Sequence, residues 1–173
     1  MTIDSIEFEI SSSNALGLGT EVTVMKVPLL NRSRGAVILK NVRVLGAPGT
    51  AGVADTLDVS IAPRRSDDDS PYAPLGVYRY YPPVGQAPTG TCVAQPVAPV
   101  ANYVLQPFRD GDASVIVLRL RTKAAGTVRL RGVRVSYVQG GRLLFQDLNY
   151  AITMAVRAGV ERRPGFHETP CLR

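Results

Sequence analysis

The sequence predicts one antiparallel all-β domain, a sandwich of about eight or nine strands. Apolar and polar residues alternate with a period of two along most of the 173 residues, which is typical of strands with one buried face. Turn residues, chiefly the 16 glycines and 13 prolines, interrupt the alternation at intervals of roughly ten residues. Nowhere does the apolar pattern give an amphipathic helix of about ten residues or more.

Four strands are predicted in the first third of the chain, near residues 6–10, 22–30, 36–45 and 57–61. Pro28 interrupts the second of these strands, so we expect that strand to lie at an edge or to bend there. Pro63 ends the fourth. Between them, NRSRG and GAPGTAG have the composition of turns.

The β pattern resumes near residue 113. The run ASVIVLRLR predicts a strand that is buried on both faces at its start and on one face at its end. In the next strand the apolar phase slips by one residue at Gly132, and a β-bulge there would keep the valines buried. Gly140 and Gly141 predict a hairpin turn into RLLFQDLNYAITMAV.

Residues 64–99 form one long proline-rich insertion, in which only residues 76–81 have an extended pattern. Four of the seven tyrosines lie there: Tyr72, Tyr78, Tyr80 and Tyr81. Tyrosines on a stiff loop are good recognition residues, so the insertion is the predicted interaction surface. The alternative is that the rings pin the insertion against the domain.

The segments EVTVMKVPLLNRSRGAVILKNVRVLG and GDASVIVLRLRTKAAGTVRLRGVRVSYVQGGRLLFQ resemble the strands of bacterial immunoglobulin-like or fibronectin-like domains. The second segment resembles their closing hairpins, with a V-x-V-x-Y strand before a Gly-Gly turn. This resemblance implies an immunoglobulin-like sandwich and an extracytoplasmic module, commonly held by an N-terminal anchor that this chain lacks. The chain departs from the pattern in having no tryptophan and in its proline-rich insertion.

Two cysteines bear on the compartment. Cys92 lies in a Pro/Gly-rich stretch and Cys171 in the polar tail at residues 157–173, and neither is inside an apolar run. We expect a disulfide between them, which requires an oxidising compartment; two unrelated thiols are the alternative. No apolar stretch is long enough to span a bilayer.

The formal net charge of +6 comes from 20 Lys+Arg against 14 Asp+Glu. Four arginines flank a predicted AAGT hairpin turn and would form one cationic patch: Arg119, Arg121, Arg129 and Arg131. Such a patch suits phosphate, nucleic acid or an acidic glycan, whereas the alternative is charge that prevents strand-to-strand aggregation. No aromatic residues alternate with these arginines, so nucleic acid is not the favoured partner.

Catalysis has little support in the sequence. The single histidine, His167, lies in the polar tail, and the motifs of common hydrolases, zinc sites and phosphate-binding loops are absent. The acidic run at residues 67–69 lacks the spacing of a calcium-binding loop. The sequence therefore predicts no cofactor and no enzyme, and a hydrolase with unrecognised carboxylates is the least favoured reading.

The predicted function is a non-enzymatic interaction or structural module on the extracytoplasmic side of a bacterial envelope, with a protein or an envelope polymer as partner. The alternative is a virion or phage assembly protein that is cytoplasmic at synthesis. In that case the all-β body would make lateral contacts, and the arginines would face nucleic acid or a neighbouring subunit.

Overall fold

The computed structural model describes residues 9–11, 15–64, 76–78, 81–82, 84–86, 92–94, 96–108 and 113–160. These residues form an all-β structure with one short helix, α1 (Thr50–Val53). The six longer strands are β2 (Glu21–Leu29), β3 (Val37–Gly46), β4 (Ala54–Arg64), β10 (Ala113–Thr122), β11 (Gly126–Gln139) and β12 (Arg142–Val156). The six short strands are β1 (Glu9–Ser11), β5 (Gly76–Tyr78), β6 (Val84–Gln86), β7 (Cys92–Ala94), β8 (Ala98–Pro99) and β9 (Val104–Leu105).

The described part of the chain thus has twelve strands where the sequence predicted about eight or nine. The difference comes from strands of two or three residues, which are too short to show an alternating pattern. Three of them, β6, β7 and β8, lie in the insertion at 64–99, for which only 76–81 had been predicted as extended. Among the described residues, no helix has the length and hydropathy that crossing a membrane requires.

The strands form two five-stranded sheets and one separate hairpin. The first sheet has the order β1-β12-β11-β3-β9, and the second has the order β5-β2-β10-β4-β8. The hairpin pairs β6 with β7. Neighbouring strands are antiparallel except for β1, which runs parallel to β12.

Both sheets contribute to one hydrophobic core. Alternate residues of β11 and β12 in the first sheet are buried, and so are those of β2 and β10 in the second. The two sheets therefore face one another, as period-two alternation predicts. At the start of β10 both faces are buried, because Val115 and Val117 pack on the opposite side against Ala62, Tyr81 and Val97.

Two features of the hairpin formed by β11 and β12 confirm the sequence reading. The pairing register shifts between Leu130 and Gly132, which is the predicted bulge. Gly140 and Gly141 have φ values of 56° and 75° and connect the strands as a two-residue turn. Two successive positive φ values define the type I′ turn that suits the twist of a hairpin.

The edge position expected at Pro28 is found, although β2 runs through Pro28 without a break. β5 extends the second sheet beside Thr23 to Met25, but it does not reach Pro28. Pro28 is paired with Val115 of β10 on one side, and within the described residues no strand pairs with it on the other. Pro28, which has no amide hydrogen, therefore lies at a position where a neighbouring strand does not require a backbone donor.

Candidate interaction surfaces

The four arginines predicted as one patch lie in two different sheets. β10 carries Arg119 and Arg121 in the second sheet, whereas β11 carries Arg129 and Arg131 in the first. The turn at residues 123–125 is a crossover between the sheets, not a hairpin as the sequence predicted. The two arginine pairs therefore project from separate faces and form no common hairpin surface.

On the second sheet the arginine pair is held by a carboxylate. Arg119 donates from Nε and Nη2 to Glu21 Oε2, at 3.1 and 2.6 Å. Arg121 donates from Nε to Glu21 Oε1 at 3.0 Å and also from Nη2. Hydrogen bonds from Arg121 and Arg119 lower the pKa of Glu21 below its ordinary value of 4.5. This pair is therefore occupied by an internal partner.

Tyr81 folds onto the same face beside these charges. Its hydroxyl donates to Asp58 Oδ2 at 2.5 Å and lies 3.0 Å from Ser60 Oγ. The Arg119 guanidinium carbon is 5.3 Å from the centre of the ring. Burial, followed by the hydrogen bond to Asp58, raises the pKa of Tyr81. These contacts match the alternative reading, in which a tyrosine pins the insertion to the domain.

The remaining predicted residues lie outside what the structure describes. Tyr72 and Tyr80 are not among the described residues, and of Tyr78 only the backbone, in β5, is described. Cys92 begins β7, but its side chain and the whole of Cys171 are not described. The disulfide and the recognition role of these tyrosines stay predictions.

A groove of about 550 Å³ lies between Lys40–Val42 of β3 and residues 56–60 of β4, with Tyr81 and residues 97–101 completing its walls. Two of its polar groups, the Asp58 carboxylate and the Ser60 hydroxyl, already contact Tyr81. Within the described ranges no cluster of three or more metal-ligating side chains occurs. The groove thus has a defined shape, and its one carboxylate is engaged by Tyr81.

The outward face of the first sheet carries an exposed apolar row, a feature that the sequence analysis missed. The row crosses four neighbouring strands, because Val104 pairs with Ile38, Ile38 with Val138, and Val138 with Leu143. Three members are well exposed: Val104 by 47%, Ile38 by 37% and Leu143 by 55%. Phe145 is 64% exposed and lies one outward position further along β12.

Charged residues of the same face lie on one side of this apolar row. Arg142, next to Leu143 at the hairpin tip, points to the opposite face, because successive strand residues alternate between faces. About 13 Å along the strands from the row, Arg43 pairs with Arg134 and Arg134 with Asp147. Arg134 donates to Asp147 from Nε at 2.7 Å and from Nη2 at 2.8 Å, and this contact lowers the pKa of Asp147.

The other arginines of this face have no such contact. In the part of the chain that the structure describes, no ion-pair partner is found for Arg43, Arg129 or Arg131. Arg129 and Arg131 are exposed and lie more than about 20 Å along β11 from Val138. The apolar row, Phe145 and the nearby Arg43 together form what we name the sheet-one patch.

One sequence signal could have revealed this patch. After the Gly-Gly turn, the run Leu143-Leu144-Phe145 places three apolar residues in succession. Because successive strand residues point to opposite faces, such a run must put apolar side chains on the outward face as well. All three are exposed, at 55%, 36% and 64%.

The chain matches no protein-family model and no curated protein sequence. What it does must therefore be inferred from the geometry and chemistry of these surfaces.

Proposed function

We propose that this protein is a non-enzymatic, immunoglobulin-like β-sandwich that acts as an interaction or structural module on the extracytoplasmic side of a bacterial envelope. Its contact surface is the sheet-one patch. The observation that carries the proposal is the exposure of four apolar side chains together on one open sheet face: Val104, Ile38, Leu143 and Phe145. Exposed apolar side chains grouped in this way mark interaction sites in soluble proteins.

The strand order supports the immunoglobulin-like part of the proposal. In that fold, strands B, E and D are neighbours in one sheet and strands G, F and C in the other. Here β2, β10 and β4 are neighbours in one sheet, and β12, β11 and β3 in the other, with the same order along the chain. β5 occupies the edge beside β2 where that fold has strand A, but it follows β4 in the chain and so does not correspond to strand A in order.

The size of the patch supports a protein contact. Burying a phenylalanine side chain completely contributes about 1.5 to 3 kcal/mol, so covering the 64% of Phe145 that is exposed contributes about 1 to 2 kcal/mol. Leu143, Ile38 and Val104 add smaller amounts of the same sign. A few anchors of this size, surrounded by polar residues, are typical of the centre of an interface.

The extracytoplasmic part of the proposal depends on the predicted disulfide between Cys92 and Cys171. Non-reducing peptide mapping of protein from its native compartment should find these two residues in one linked pair. Two freely alkylated thiols would contradict this location. They would favour the alternative, a virion or phage assembly protein made in the cytoplasm.

Site-specific photocrosslinking in the source cell tests the contact surface. A photoreactive phenylalanine analogue at Phe145 should give a defined adduct. The same analogue at Leu18 is the matched control, because Leu18 is 46% exposed in a turn at the opposite end of the sandwich from the β11–β12 hairpin. Adducts of equal yield at both positions, or at neither, would contradict the proposal.

A further inference from the structure

We infer that the partner of the sheet-one patch is a second copy of this chain. The two copies pack this patch against one another about a two-fold axis that runs along β11, between the facing sheets. This inference rests on the proposed function and names the partner. It follows from the order of side chains across β3, β11 and β12, because such an axis exchanges β3 with β12 and brings complementary groups together.

The apolar row is self-complementary about this axis. β11 lies between β3 and β12 in the first sheet, so the axis places β12 of one copy over β3 of the other. Leu143 then faces Ile38 of the second copy, since both pair with Val138, and the two Val138 side chains face each other. Phe145, which is 64% exposed, lies beside Ile38 of the second copy. Apolar side chains therefore cover apolar side chains on both sides of the axis.

The neighbouring row of charges is self-complementary in the same way. Across the strands it consists of Arg43, Arg134 and Asp147, so it is positive on β3 and negative on β12. Exchanging these strands places Arg43 of each copy over Asp147 of the other, at two equivalent positions. Facing sheets lie about 10 Å apart, a spacing that an arginine and an aspartate bridge together. Within the described residues, Arg43 has no ion-pair partner in its own copy.

Asp147 can accept this second arginine. Arg134 donates to it from the neighbouring strand, and a carboxylate has about four acceptor positions on its two oxygens. The same chain contains such an arrangement, because Glu21 accepts hydrogen bonds from both Arg119 and Arg121. Each Arg134 leans towards Asp147 of its own copy, so the two Arg134 guanidinium groups lean to opposite sides of the axis.

The size of the contact predicts a weak, reversible dimer. The apolar row and the row of charges lie about 13 Å apart along the strands, and four strands cover a width of about 19 Å. Two such faces bury on the order of 1,000 Å² in total, at the lower end for specific interfaces. We therefore expect a Kd on the order of 10 to 100 μM for the dimer.

Two further arginines of this face, Arg131 and Arg129, lie outside the contact. They are about 10 Å or more beyond the row of charges along β11, and both are exposed. Because the Debye length at physiological salt is about 8 Å, their repulsion between the two copies is largely screened.

Charge reversal followed by sedimentation equilibrium on the full chain tests the inference. Arg43→Asp places like charges opposite Asp147 of the second copy, and Asp147→Arg does the same opposite Arg43. Each variant alone should therefore dimerise at least about tenfold more weakly. An equimolar mixture of the two variants should form a heterodimer with a Kd within about threefold of that of the unchanged chain, because both contacts then join opposite charges again. Neither a folding defect nor a general change of net charge predicts this recovery.

Arg142→Asp is the matched control. It makes the same change in net charge as Arg43→Asp, but Arg142 points to the opposite face of the first sheet from Leu143 and Phe145. Its dimer Kd should stay within about twofold of that of the unchanged chain. Leu143→Ser/Phe145→Ser removes the apolar part of the contact and should weaken dimerisation at least about tenfold. Circular dichroism melts establish that each variant is folded.

Several outcomes would overturn the inference. These are a chain that stays monomeric at about 1 mM, a dimer that both charge reversals leave unchanged, and a mixture of the two variants that recovers no affinity. Binding of phosphatidylglycerol vesicles that Phe145→Ser abolishes, by a chain that stays monomeric, would do the same, since the occupant would then be a membrane. A photocrosslink from position 145 to a different protein, unaffected by Arg43→Asp, would leave the proposed function standing and remove only the second copy.

Discussion

Replacing Gly132 by alanine should destabilise the fold more than replacing any other described glycine in β11 or the following turn. Gly132 lies at the bulge with φ +149°, a conformation that other residues rarely adopt. A Cβ atom added there would be 2.0 Å from the carbonyl oxygen of Leu148 and 3.2 Å from the Cα atom of Asn149. Both obstacles are backbone atoms of β12, so they cannot rotate away as a side chain could.

The expected magnitude follows from two effects. Holding alanine in this backbone conformation costs about 1 to 3 kcal/mol. Moving the Leu148 carbonyl disturbs the ladder between β11 and β12, and each lost hydrogen bond there costs about 1 kcal/mol. The free energy of unfolding should therefore fall by about 2 to 4 kcal/mol. For a chain of this size, 1 kcal/mol corresponds to about 2 to 4 °C in Tm.

Gly140→Ala is the matched control. Gly140 also has a positive φ, +56°, but a Cβ atom there would meet nothing within 4 Å. Both substitutions restrict the unfolded chain equally, so the difference between them reports the native-state cost at Gly132, from its φ value and its close approach to β12 together. Urea unfolding of the two variants measures this difference. If Gly132→Ala loses no more stability than Gly140→Ala, the bulge does not need glycine and the reasoning is wrong.

Three further predictions concern single side chains. Tyr150→Phe should leave the free energy of unfolding unchanged or raise it by about 1 kcal/mol. The reason is that the buried Tyr150 hydroxyl has no hydrogen-bond partner among the described residues. A clear fall in Tm would contradict this. Tyr81→Phe should lower the free energy of unfolding by about 1 kcal/mol, because the hydrogen bond to Asp58 is lost. Tyr81→Ala should lower it by about twice as much, because the ring contacts are lost as well. Equal Tm values for both variants and the unchanged protein would show that Tyr81 does not pin the insertion. The pKa of Glu21, followed by NMR, should lie below 4.5 and rise when Arg119 is replaced by glutamine. Because the folded-state pKa is lowered, the stabilisation by Glu21 is present above pH 4.5 and is lost as the pH falls through the folded-state value.

The local features were predictable because they depend on residues close together in the chain. The phase slip at Gly132 and the Gly140-Gly141 turn each follow from a few neighbouring residues, and both are found. The burial of both faces at Val115 and Val117 follows in the same way from an unbroken apolar run. The short strands β8 and β9 could not be predicted, because two residues show no period and depend on the strands they join.

The assignment of strands to sheets could not be predicted, and it changes the functional interpretation. A short turn such as AAGT suits both a hairpin within one sheet and a crossover between two, because alternation along a strand does not reveal its neighbours. The crossover separates the two arginine pairs. Arg119 and Arg121 then meet Glu21 on β2, whose ladder position is opposite Arg121. Among the described outward residues of β3, β11 and β12 there is one carboxylate, Asp147, and Arg134 binds it. The topology therefore pairs the arginines of the second sheet with Glu21, whereas most arginines of the first sheet keep no ion-pair partner among the described residues. For this reason we expect a partner to bind at the sheet-one patch and not at the predicted arginine hairpin.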